Sequence, residues 1–400
     1  MRKVALLPVL TLVVACEAST LVEPPVDPEP EFAQGEVPEC AVDPDWVVRD
    51  ADELFDAMEG AQEGDVIAVE GVISTNRGAY TYVNEITLTC ASPGAGIVAA
   101  PDWNPDRAFL LRIFSREVSV THLFLDAAAT PRGPIYGHFN GTTHFAAQLV
   151  FTDNDVVCGP GECLFFAGVS GSLIADNHFE SAGGNTGIHV QGAGDPLPDG
   201  SYPHQTDNTQ ILRNTVVSVD PSQITSGYGG IRVRDGSDHE VSGNVVTGPW
   251  SNSVSPSELR ESTFSHNTLR DAQVFGLRLS FNPSTLLPTP GNEFMHNEVS
   301  GMGEAGAYVT LACGNVFLGN RFKDNAGDIG VWFDVESGGN LFLGNHTIVV
   351  DDGNWDCAQG GPMIPNVITG PSLRVGGLTP GAWVKAVRGV PQGQGEAVLR

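Results

Sequence analysis

The chain has 400 residues, with 48 acidic and 20 basic side chains and a formal charge of −28. Hydrophobic residues make up 41%, enough for a large packed core, which excludes global disorder. The 48 glycines follow no three-residue period, which excludes collagen, and the acidic balance excludes nucleic acid or an anionic membrane surface as partner, since both need clustered Lys and Arg.

Met1-Arg2-Lys3 precedes an apolar run from Val4 to Val14. A short basic segment and about a dozen apolar residues predict an export leader, too short to span a membrane as a helix. Val13-Val14-Ala15-Cys16 resembles the bacterial lipobox, which implies diacylation of Cys16 after cleavage behind Ala15. Glu17 follows rather than Asp, which points to the outer membrane or cell surface. Membrane contact is then expected through a lipid anchor only. Glu23-Pro24-Pro25-Val26-Asp27-Pro28-Glu29-Pro30-Glu31 cannot bury apolar area, and its prolines and like charges predict an extended tether.

Six further cysteines remain: Cys40, Cys90, Cys158, Cys163, Cys313 and Cys357. An even number in an exported chain predicts disulfides, though six allow ~15 pairings. Cys158 and Cys163 flank a tight loop, and Cys40 with Cys90 and Cys313 with Cys357 are the local choices. No CxxC pair supports a metal site, so none is assigned.

From residue 50 the elements become periodic. Asp50 to Ala61 reads as a short helix, with Asp50 as N-cap, Glu53 completing a capping box, and Leu54 and Met58 on one face. Gly64-Asp65 then turns into a strand, Val66 to Val69. Further on, short apolar segments end in Asn154, Asn177, Asn214, Asn244, Asn267, Asn297, Asn320 and Asn345. The intervals are 23, 37, 30, 23, 30, 23 and 25 residues, a base period near 23 with insertions, as in a solenoid. A second alternating strand recurs in each unit: Gly187-Ile188-His189-Val190-Gln191, Gly230 to Arg234, Gly276 to Ser280, Gly306 to Thr310 and Gly330 to Asp334. Asn tolerates a left-handed bend, and its amide can bond to its counterpart one strand spacing away. These asparagines are therefore read as structural.

The pattern resembles the right-handed parallel β-helix proteins, the pectin-lyase-like superfamily, over roughly residues 45 to 370. The resemblance implies an all-β, right-handed parallel β-helix solenoid with a short N-terminal capping helix. The predicted organisation is leader 1–15, tether 16–40, β-helix 41–370, and last coil or cap 371–400. Insertions are expected as loops at Gly194–Asp207, Asp220–Tyr228, Pro249–Glu258 and Asn282–Gly291, where ligands often bind.

Outward positions of the second strand form two rows. One is His189, Arg232, Arg278, Tyr308 and Trp332; the next is Gln191, Arg234, Ser280, Thr310 and Asp334. Guanidinium groups and aromatic rings in a line suit a glycan, while the same positions also fit an ordinary solvated face. Lyases of this fold use Arg or Lys with calcium, so the resemblance makes His189, Arg232, Arg234 and Arg278 the catalytic candidates. Asp351-Asp352-Gly353-Asn354-Trp355-Asp356 offers oxygens to calcium but lacks the spacing of a defined calcium loop, and reads as a turn. His178, His266, His296 and His346 adjoin ladder asparagines and read as turn residues. The expectation is a monomeric, lipid-anchored protein of the bacterial cell envelope that recognises polysaccharide. A polysaccharide lyase acting on uronate polymers and a non-catalytic spacer or adhesin are the alternatives.

Overall fold

A computed structural model of the chain describes residues 40–182, 186–195, 197, 201–219, 229–280, 291–334, 337–345, 347–351, 365–369 and 373–375. The leader, Cys16, nearly all of the tether and Cys357 lie outside them. The described residues all fall in the second of the chain's two units, Pro38–Arg400.

The described residues of the second unit build a right-handed parallel β-helix. Each full coil contributes one strand to each of three sheets, as in Val150–Thr152, Asp155–Cys158 and Glu162–Ala167. The sheets have 13, 10 and 12 strands respectively, and neighbouring strands lie a coil apart in sequence. Every strand pairing is parallel and nearly all are in unbroken register, for example Val150 with Leu173 and His178 with Thr215. Inward residues stack as the strands do: Phe264, Phe294 and Phe317 follow one another with ring centroids 5.0 and 4.8 Å apart, close to the ~4.8 Å strand spacing.

The N-terminal helix spans Ala51–Gly60. The Asp50 side chain accepts from the Glu53 N–H, and the Glu53 carboxylate accepts from the Arg49 N–H. Leu54, Ala57 and Met58 are buried against the first coil and close its apolar end. Strand Trp46–Val48 precedes the helix and pairs with Val66–Val69, so the latter is the second strand of its sheet rather than the first. Cys40–Cys90 and Cys158–Cys163 are bonded as expected. Cys313 is also in a disulfide, and its expected partner, Cys357, lies outside the described residues.

The asparagine ladder runs unbroken from Asn154 to Asn345. Each side-chain N–H donates to the Oδ1 of the next coil's Asn at 2.9 to 3.0 Å. All eight side chains are buried. The left-handed conformation belongs to the residue before the Asn, a correction to the sequence reading. Asp153, Asp176, Arg213, Gly243, His266, His296, Gly319 and Gly344 all have φ between 53° and 68°. The asparagine instead satisfies the carbonyls that the bend would orphan, as Asn244 does with that of Ile211 at 2.8 Å. A second ladder, absent from the sequence reading, runs through Asn292, Asn315, Asn340 and Asn366 at 3.0 to 3.1 Å.

The segment expected as a loop at Pro249–Glu258 is largely strand Asn252–Arg260 of the 12-stranded sheet. The 23-residue interval from Asn244 to Asn267 left no room for an insertion; Ser-rich sequence and Pro256 hid the strand. Residues 220–228 and 282–290 lie outside the described residues. At the far end, Leu373–Val375 pairs with Ile348–Asp351, so coil geometry continues past residue 370.

Asn244→Ala removes the side-chain bonds donated to Ile211, Ser242 and Asn267 and leaves the Asn214 amide groups without their acceptor. The expected loss is about 3 kcal/mol in urea unfolding, with the fold retained; an unchanged midpoint contradicts the ladder's role.

Candidate functional site

The 12-stranded sheet turns one long face outward, and its register fixes which residues line up. One row reads Tyr80, Arg112, Tyr136, Phe165, His189, Arg232 and Ser255 on successive strands. It continues through Arg278, Tyr308 and Trp332. The neighbouring row carries His138, Ala167, Gln191, Arg234, Ser257, Ser280 and Thr310. The expected residues therefore share one face, but Arg232 and Arg278 are not neighbours, because the strand bearing Ser255 and Ser257 stands between them.

Several of these side chains are less accessible than alternation predicts. Trp332 is 1% exposed and packs with Phe275, Ala305, Ile329 and Val350. It is a packing residue, not an open platform. Tyr308 stacks on Phe275 at 4.7 Å and donates to Asp334. Burial, then the Asp334 carboxylate, push its phenol up to about 12. Arg234 is held by Glu258 through two bonds of 3.2 and 3.3 Å, and its guanidinium lies 5.2 Å from the Tyr202 ring centroid. That partner, Glu258, sits one coil on. Arg232 and Arg278 are half-buried. The Arg278 Nε has no hydrogen-bond partner.

His189 is 5% exposed and stacks on Phe165 at 4.8 Å. Its Nδ1 lies 3.8 Å from the Glu162 carboxylate, which Arg132 also approaches at 3.7 Å. Burial outweighs that carboxylate and lowers the imidazole to about 4. Asp235 shows the opposite sign: burial, then the charge of Glu258, raise its carboxyl to about 6.

The N-terminal half of the face holds a cluster that sequence reading missed. Arg112 extends over the rings of Phe114 and Tyr136, 5.0 and 5.9 Å from their centroids. Its Nε is buried without a hydrogen-bond partner, and among the described residues no carboxylate pairs with it. His138 and His144 lie 5.1 Å apart, and His144 stacks on Phe114 at 4.1 Å. Burial first, then His144 and Arg112, lower His138 to about 4; burial and Arg112 also lower His144. Burial raises the Tyr136 phenol. Tyr82 stacks on Phe114 and is 57% exposed, and Phe145 is 48% exposed, so apolar rings meet solvent beside the cluster. The short loop around Asn140 carries His144. It is braced by His204, whose ring meets Phe139 edge-on at 5.3 Å.

These coils lack the terminal Asn that marks the later repeats. Their signal was subtler: Tyr80-x-Tyr82, Arg112-x-Phe114 and Tyr136-x-His138 place aromatic or basic groups two residues apart, on one side of a strand. His178 is exposed and 3.1 Å from Asp155, and the tilted rings of His266 and His296 lie 5.4 Å apart at the ladder bend. Apart from Asp351, the run weighed for calcium lies outside the described residues. Among the described residues no group of three or more His, Cys, Asp or Glu is arranged to hold a metal ion.

The lowered histidine makes acid stability predictable. His189 titrates near 4 when folded, against 6.5 as its ordinary value. Its contribution is fully present above 6.5 and is lost as pH falls toward 4. The difference amounts to about 3 kcal/mol. His189→Phe, which copies Phe165 one coil earlier, is expected to flatten the fall in urea stability between pH 6.5 and 4. An equal fall in both proteins contradicts this.

Residues 162–347 match the family model described as right handed beta helix region. No curated protein matches the sequence. Among solved structures, the A-module of the mannuronan C-5 epimerase AlgE4 of Azotobacter vinelandii superposes with a TM-score of 0.55 at 14% identity, over 82% of this chain and 92% of that one. The DFA-IIIase of Arthrobacter chlorophenolicus A6, without its lid, gives 0.56 at 12% identity, over 88% of this chain and 98% of that one. At such identities the likeness is one of fold: the chain carries a right-handed β-helix region and resembles, in architecture, proteins built on that solenoid.

Proposed function

We propose that the chain binds a polysaccharide along the outer face of the 12-stranded sheet, with the Arg112–Tyr136–His138–His144 cluster as its chemical centre. One observation carries the reading. In a chain of net charge −28, Arg112 is left without a carboxylate partner among the described residues, beside exposed aromatic rings. A guanidinium binds carboxylates bidentately, and ring faces such as that of Tyr82 stack on sugars. The spacing of ~4.8 Å per strand makes the row from Arg112 to Arg278 roughly 30 Å long, room for several sugar rings. The two structural relatives, an epimerase of mannuronan and a DFA-IIIase, agree with a carbohydrate ligand.

A second reading is enzymatic. His138 and His144 are both held toward the neutral form beside a phenol and a guanidinium. Neutral imidazoles can accept a proton, a phenol can return one, and Arg112 can offset charge on a neighbouring carboxylate. That set suits proton abstraction next to a uronate carboxyl. Lyase activity would appear as ultraviolet absorbance of an unsaturated product.

Calorimetry against a panel of uronate and neutral polysaccharides tests the binding. Arg112→Ala is expected to weaken capture of the bound polymer about 30-fold, the equivalent of about 2 kcal/mol, with melting unchanged. Arg234→Ala should instead destabilise the fold by about 3–5 kcal/mol, because it strands the buried Glu258 carboxylate. No capture by any polymer, or an Arg112→Ala protein that binds normally, removes the proposal.

The leader and lipobox-like segment support export and anchoring at the bacterial cell envelope. A Cys16→Ser chain expressed in a bacterial host is expected to leave the membrane fraction, while the unaltered chain stays in it. Equal partition of the two argues against diacylation.

A further inference from the structure

The Arg112 cluster gathers groups of one sign. Arg112 stands on strand Phe109–Ile113, which pairs directly with the strand of Tyr136 and His138, Gly133–His138. The His138 ring lies 5.4 Å from that of Tyr136 and 5.1 Å from that of His144. The His144 Nδ1 is buried without a hydrogen-bond partner. A third imidazole, His204, comes from a separate loop; a Cβ at Gly141 would stand 2.6 Å from its Cε1. Arg112, His144 and His204 all act on His138 as like charges. Among the described residues no carboxylate forms an ion pair with any of these four groups.

His189, two strands on from His138, is built differently. Its Nδ1 lies 3.8 Å from the Glu162 carboxylate, so its counter-charge is supplied by the fold. For His138 and His144 a counter-charge has to come from outside. Burial, then His144 and Arg112, hold His138 to about 4, and burial and Arg112 lower His144. An oxyanion seated on the guanidinium offsets the charge that keeps protons off both rings.

We propose that a ligand carboxylate seated at Arg112 draws a proton from solvent onto the His138–His144 pair, so that the face holds acidic polymers tightly in acid and releases them near neutral pH. The inference rests on the polysaccharide reading and adds its regulation. The sign follows from linkage. The empty pair takes up a proton only in strong acid; the occupied pair takes it up at higher pH. Between the two, each captured carboxylate brings a proton with it, and affinity rises as pH falls. A sugar carboxylate stays ionised through most of that window. The net charge of −28 also shrinks in acid, which weakens repulsion of any polyanion, so the histidines must be separated from that general effect.

Calorimetry with polygalacturonate, on the full chain carrying Cys16→Ser and in two buffers of different ionisation enthalpy, counts the protons. The expected result is uptake of about one proton per bound segment at about pH 5.5, and a Kd about tenfold lower at pH 5 than at pH 7. His144→Gln should reduce both effects. His138→Gln added to it should abolish the uptake, although the overall charge of the chain still falls with pH. His144 stands on a short loop, so the single variant carries the test if the double variant does not fold. Capture without proton uptake overturns the inference and leaves the polysaccharide reading standing. So does uptake that persists in His144→Gln at the wild-type value, or capture of neutral dextran alone. No capture of any polymer removes the polysaccharide reading and this inference with it.

Discussion

Each ladder asparagine joins one bend of the chain to the same bend one coil away. Its N–H groups reach the next asparagine and the carbonyls around the turn, and its oxygen receives the amides of the coil before. Buried amides cannot be left without partners at low cost, so a coil that slipped by one residue would lose all of these bonds together. The ladder therefore fixes register, and the in-register stacks of Phe264, Phe294 and Phe317 follow from it. So do the straight outward rows of all three sheets.

That register converts a one-dimensional sequence into surfaces. A residue recurring near every 23 positions becomes a line of side chains about 4.8 Å apart. On the 12-stranded sheet the line collects Arg112, Tyr136, Phe165, His189 and Arg232. On the 13-stranded sheet it collects Val316, Leu341 and Val367. The first line has a guanidinium without a carboxylate partner among the described residues, and a histidine, His189, held neutral by burial. The second has aliphatic groups, of which Leu341 and Val367 are exposed. The scaffold is the same under both; the outward residue chosen at each coil sets what the surface can bind.

The solenoid was legible because its signals are local and repeated. The Asn at each bend, the alternation of Ile188 and Val190 around His189, and the Asp50–Glu53 capping box all act within a few residues. Their structural consequence is direct. The candidate site was less legible, for two physical reasons. Burial depends on what covers a position, and alternation alone cannot report that Trp332 lies beneath its neighbours or that Arg234 is locked to Glu258. The first coils also bend without a terminal asparagine, so Arg112, Tyr136 and His138 fell outside the visible repeat although they obey the same two-residue alternation. The strand at Asn252–Arg260 was hidden for a related reason. Its Ser and Pro residues carry little periodicity, and only the unexpanded 23-residue interval betrayed it.

The surface proposed to bind polymer is the outward face of the 12-stranded sheet. Hydroxyl-radical footprinting of side chains with and without a captured polysaccharide tests it most directly. The account predicts protection of Tyr82, His144 and Phe145, with Leu318 and Leu341 unchanged. Protection confined to the 13- or 10-stranded sheet would contradict it.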